Sequence, residues 1–220
     1  MLKKKITKYL DPSDRLSEIL FGLIMAMTVA SSTKLAAGEG ILSARIVIFA
    51  VLGCNLAWGG VDGIMYVFSG LLERGRLSKF VSYVKSNSPE KVAPILESEI
   101  ENTIFKSLDD EEKKRISTGL LRSISKVQPE KAHITKDDLL GAFASFLLVF
   151  TSGFIVVVPF FFLPNNVYLS LRISNIASII VLFSVGYEWA KYTDRNRIRT
   201  GAGMVLIGFV ISAVTILLGG

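Results

Sequence analysis

The sequence predicts an all-α polytopic membrane protein with five transmembrane helices and a small helical cytoplasmic insert between helices 2 and 3. Three observations carry that prediction. Half of the 220 residues are apolar, and charge nearly vanishes from five long stretches while crowding into the segments between them. A run of about 20 apolar residues crosses the ~30 Å hydrocarbon core at ~1.5 Å rise per residue. Of the 25 Lys and Arg residues, five lie in residues 1–15, thirteen in 73–138 and four in 191–199, leaving Lys34, Arg45 and Arg172 for everything else. Basic residues gather on cytoplasmic loops, so this placement reads as topology.

Taken in order, residues 1–15 form a basic tail. The apolar run behind it has no small-residue cleavage motif, so it reads as a retained span and not as a cleaved leader. The spans are expected at 16–37, 46–72, 139–163, 169–190 and 198–218. The connections 34–45 and 164–168 are short and poor in charge, whereas 73–138 and 191–197 are rich in it. That alternation sets the N-terminus and the insert inside and the C-terminus outside. Three divisions follow: 1–72 with the first two spans, 73–138 as the insert, and 139–220 with the last three spans.

The insert holds 13 basic and 12 acidic residues and short apolar sets such as Val92, Ile95, Ile100, Ile104 and Leu108. These spacings fit three small amphipathic helices, the first continuing from the second span. Pro89 after Ser88 suits a helix start, and Thr135 suits the N-cap of the third span. Within the third span, Pro159 is expected to kink the helix and leave neighbouring helices to restore the freed backbone groups.

The formal net charge of +6 is explained by this topology, so no nucleic-acid partner is expected. Cys54 is the single cysteine, which excludes an internal disulfide and any cysteine-built metal cage. No nucleophile arrangement, zinc motif or phosphate loop with strand context is present, so an enzyme is not expected.

Charge inside a span is costly and therefore informative. Asp14, Glu18, Gly22 and Met25 share one stripe of the first span; Asn55, Gly59, Asp62 and Tyr66 share one of the second, with Met65 at its edge. Glu18 and Asp62 fall at similar depth, so two helices could present two carboxylates, an amide and thioethers to one cavity. Carboxylate and amide oxygens suit Mn²⁺ and Fe²⁺, and a thioether favours softer ions over Ca²⁺ or Mg²⁺. The bland alternative has Glu18 paired with Arg15 at the interface and Asp62 hydrogen-bonded to a neighbouring helix. Gly59, Gly60 and Gly63 would allow helices to approach closely. Glu188 reads as an interfacial ion pair with Lys191. Glu97 and Glu101, four apart, and the run Asp109–Glu112 read as solvated helix faces, and His133 as structural.

The order of parts resembles the vacuolar iron transporter family, and local wording agrees. Ser152-Gly-Phe-Ile-Val-Val-Val-Pro-Phe-Phe-Phe162 is similar to that family's third span, and Phe183-Ser-Val-Gly-Tyr-Glu-Trp-Ala-Lys191 to the end of its fourth. The small-residue run after Arg199 resembles its fifth. Residues 11–22 and 53–59 resemble a divergent prokaryotic branch, which implies a prokaryotic cell membrane. The resemblance implies a proton-coupled iron path at a homodimer interface, formed by a carboxylate early in the first span and a carboxylate and methionine in the second. Glu18 matches the first by position. Asn55 stands about where the second carboxylate is expected, with Gly63 or Met65 near the methionine and Asp62 beside it. The insert lacks the repeated Glu-x-x-Glu pairs of the family's metal-collecting domain.

The expected function is therefore export of Fe²⁺ or Mn²⁺ from the cytoplasm in exchange for protons, with no permanently bound cofactor. Glu18, Asp62, Asn55, Met65 and Met25 are the metal-site candidates. Two alternatives stay open: a non-transporting protein of this fold whose insert binds a partner, and a carrier of another solute such as a small organic cation.

Overall fold

Helix boundaries fall where a side chain or a proline deals with the free backbone groups of a helix end. The computed structural model describes residues 9–37, 43–101 and 107–218. Among these it has seven helices and no strand: α1 (Pro12–Ala37), α2 (Ala44–Ser86), α3 (Pro89–Glu101), α4 (Asp110–Ile124), α5 (Lys136–Phe162), α6 (Val167–Thr193) and α7 (Arg197–Leu217). Helices α1, α2, α5, α6 and α7 are each long and apolar enough to cross a membrane. The chain is an all-helical polytopic membrane protein. Residues 1–8 of the expected tail, residues 38–42 of the first connection, and Ile104 lie outside the described residues, as do the side chains of Ile100 and Glu101.

Starts and stops follow the local chemistry. Proline opens α1 and α3, where its missing N–H costs nothing. Thr135 and Asp138 cap each other at the start of α5: the Asp138 N–H donates to Thr135 Oγ1 (3.2 Å) and the Thr135 N–H to Asp138 Oδ2 (2.7 Å). Asp109 caps α4 by accepting from the Glu112 N–H at 2.7 Å. Helix α6 ends on Asp194, whose φ of 50° is left-handed, and Asn196 then accepts from the backbone N–H groups of Ile198 and Arg199. Helix α2 has 43 residues, or about 65 Å, roughly twice the hydrocarbon core.

The chain divides into two compact units, Met1–Val67 with Thr135–Gly220, and Phe68–Ile134. In the first, α1 packs against α5, α6 and α7, with α5 on α6 and α6 on α7. Its core runs from Leu23, Ala26, Met27 and Ala30 of α1 through Val47 and Val51 of α2 to Val156, Val157 and Phe160 of α5 and Leu182 of α6. A Cβ on Gly59 or Gly63 would stand 3.0 Å from the carbonyl oxygen of Phe146 or Ala142, so α2 and α5 approach through backbone there. Gly60 faces open space.

Helices α5 and α6 are joined by a serine seam. Ser170 donates to the Leu163 and Pro159 carbonyls (3.1 and 3.3 Å) and Ser174 to that of Val156. These bonds surround Pro159, although the carbonyl its ring frees is that of Ile155. The second unit has its own small core, in which Val84, Val92 and Leu96 are buried with Phe80, Leu121 and Ile124 around them. Ile95 is 40 % exposed.

Candidate ion site

Glu18 lies two turns into α1, half-buried, on the side that meets α5. The Ser145 hydroxyl of α5 donates to Glu18 Oε1 at 2.7 Å. The Asp62 carboxyl of α2 lies close enough to that of Glu18 for the two to interact. The second oxygen of Asp62, Oδ2, is buried without a hydrogen-bond partner among the described residues. No cation pairs with either carboxylate among the described residues, and Arg15 Nε is itself buried without a partner. The alternative pairing of Glu18 with Arg15 at the interface is therefore not formed.

Two turns before Asp62, Asn55 is fully buried. Its amide donates to the carbonyls of Gly22 on α1 and Val149 on α5, both at 2.9 Å. Its oxygen, Oδ1, is buried and accepts from none of the described residues. One turn beyond Asp62, the Tyr66 hydroxyl donates to the Tyr9 carbonyl at 2.7 Å. Asn55, Gly59, Asp62 and Tyr66 thus do share the packed face of α2, as their spacing implies. With Glu18 of α1 beside it, this face brings together three acceptor groups of suitable chemistry: two carboxyls and, deeper, an amide oxygen.

The thioethers stand elsewhere. Met65 is 56 % exposed, on the outer face of α2. Met25 is half-buried on α1, nearly two turns beyond Glu18. Among the described residues no three His, Cys, Asp or Glu side chains converge as metal ligands would. The oxygen set is therefore Glu18 and Asp62 with the neutral Ser145 hydroxyl beside them. Ser145 escaped the sequence reading; its signal was weak, a single small polar residue in an apolar span.

The remaining candidates have structural occupations. Lys191 donates to both Glu188 oxygens at the end of α6. Asp109 is a helix cap, and Lys113 lies 3.8 Å from Asp110. His133 is exposed, with Nδ1 3.2 Å from the Lys131 carbonyl.

Five apolar helices long enough to cross a membrane, with an acidic pair where α1, α2 and α5 meet, define a polytopic membrane protein with a candidate ion site. The chain belongs to the VIT family, the vacuolar iron transporters: the family's model matches residues 89–220, from the first residue of α3 through all of α5, α6 and α7. Membership points to metal-ion transport and to a transporter in place of an enzyme. No curated protein matches the chain significantly. The stretches 152–162 and 183–191 fall within the match, whereas Glu18, Asn55 and Asp62 precede it.

Proposed function

We propose that the chain carries a divalent metal ion, Fe²⁺ or Mn²⁺, out of the cytoplasm in exchange for protons. The observation that supports this most is the meeting of the Glu18 and Asp62 carboxyls, from two helices, inside an apolar bundle. Carboxylates in a membrane bundle are expensive and are typically found on ion or proton paths. Two carboxylates balance the charge of one divalent ion, and protons balance the same pair on the return. The site then never carries a large uncompensated charge, which couples the two fluxes. Oxygen donors suit Mn²⁺ and Fe²⁺. Asn55 Oδ1 offers a further neutral oxygen along the same face.

Met25 and Met65 would add softness. Met65, exposed on its own chain, reaches the path only where a second copy covers that face of α2, so a homodimer with the first two spans at its interface is part of the proposal. The basic residues of 1–15, 73–138 and 191–199 support an N-terminus and insert in the cytoplasm, with the C-terminus outside a prokaryotic cell membrane.

Proteoliposomes of the purified chain test this with Fe²⁺, Mn²⁺, Co²⁺, Zn²⁺ and Ca²⁺ under an imposed pH gradient. Saturable Fe²⁺ or Mn²⁺ flux that follows the gradient is expected, and its loss in Glu18→Ala and in Asp62→Ala. Wild-type flux in both variants would remove the site assignment.

A second reading, a partner-binding protein that has lost transport, draws support from the absence of three convergent ligands among the described residues and from the amide at position 55. Absence of flux for every ion, from folded protein, together with a cellular phenotype lost only on deletion within the insert, would favour it.

A further inference from the structure

We infer that the cavity between the C-terminal end of α1 and the N-terminal end of α6 binds a phosphate group, carried by a lipid headgroup or free in solution. The cavity measures about 480 Å³, and Ser31 and Lys34 from α1 and Tyr168, Leu171, Arg172 and Asn175 from α6 line it. No Asp or Glu is among its described lining residues. Each helix contributes a cation and, one turn deeper, a neutral donor: Lys34 above Ser31, and Arg172 above Asn175. The Lys34 ammonium lies 4.9 Å from the centre of the Tyr168 ring, which holds it at the mouth.

The charges are placed as an anion site requires. Lys34 sits in the last turn of α1, where it complements the negative end of that helix. Arg172 has no such reason. It lies in the second turn of α6, near the positive end, and the first turn carries no acid to offset it. Arg172 is exposed and forms no ion pair among the described residues. A planar five-donor guanidinium, an ammonium, a hydroxyl and an amide together fit a group with several acceptor oxygens better than a halide. Cations near the ends of spanning helices reach the level of lipid phosphates.

The test titrates inorganic phosphate and dioctanoyl phosphatidylglycerol into the full-length protein in a neutral detergent at physiological salt, read by calorimetry. Dioctanoylglycerol serves as the phosphate-free control. Saturable binding of a phosphate-bearing probe is expected, with none for the control. Affinity should fall on the order of tenfold in Lys34→Gln and in Arg172→Gln, and only slightly in Arg172→Lys. Binding of inorganic phosphate as tight as that of the lipid makes the ligand a free oxyanion; binding of the lipid alone makes it a headgroup.

Equal binding of the control, unchanged affinity in the Lys34→Gln, Arg172→Gln double variant, or no binding by protein of normal thermal midpoint would overturn the inference.

Discussion

The side chain of Asn55 gives both of its amide hydrogens to main-chain carbonyls, one on α1 and one on α5. An aspartate of the same shape has no hydrogen to give and would set a charge against two carbonyl oxygens in an apolar interior. Asn55→Asp is therefore expected to cost about 3 kcal/mol or more, read as a lower thermal midpoint of the purified protein. An unchanged midpoint would mean that the two bonds contribute nothing. The amide also explains why this position differs from a carboxylate ligand: its nitrogen ties helices together while its oxygen stays free. Among the described residues, Glu18 and Asp62 carry no such tie to backbone. Glu18→Gln and Asp62→Asn should thus lose metal flux with little change in midpoint, which separates transport from folding by one substitution at each position.

Among the elements, close packing without side chains divides the glycines into two kinds. A Cβ on Gly22 would stand 2.7 Å from the Val149 carbonyl oxygen, where neither backbone can yield cheaply; one on Gly60 meets nothing. Gly22→Ala should lower the thermal midpoint, and Gly60→Ala should hold or raise it, by up to about 1 kcal/mol of helix propensity. Equal effects in the two would refute the packing of α1 on α5. The same distinction shows what a sequence displays. The spans, the start of α3 at Pro89 and the cap at Thr135 were legible, because charge gaps, proline and capping side chains act within a few residues. The stripe of Asn55, Asp62 and Tyr66 was legible from the helical period. Its partners were not: Gly22 and Val149 contribute carbonyls, which every residue has, and Ser145 looks like any small residue of a span. Met65 illustrates the limit of a stripe, since a residue at its edge can turn to the outer surface. Gly60, read with Gly59 and Gly63 as a packing residue, faces open space for the same reason.

For the whole molecule, the uneven placement of basic residues makes orientation testable. With Cys54→Ser as background, Ser125→Cys lies in the proposed cytoplasmic insert and Asn165→Cys between α5 and α6. A membrane-impermeant maleimide should label position 165 in intact cells and position 125 only after permeabilisation. The reverse pattern would invert the proposed direction of export, since direction is defined by which end of the bundle faces the cytoplasm.

The serine seam between α5 and α6 has a mechanical consequence. Ser170, Ser174 and Ser178 recur every four residues, close to the period of the helix that bears them, and Ser178 Oγ is buried with no partner among the described residues. Slide α6 by one turn, about 5.4 Å, and Ser174 arrives where Ser170 stood while Ser178 takes over the carbonyl of Val156. The seam is built as a rack with a spare tooth: its hydrogen bonds fix the spacing of the two helices in this register, and the same set of hydroxyls would meet the same carbonyls one turn along.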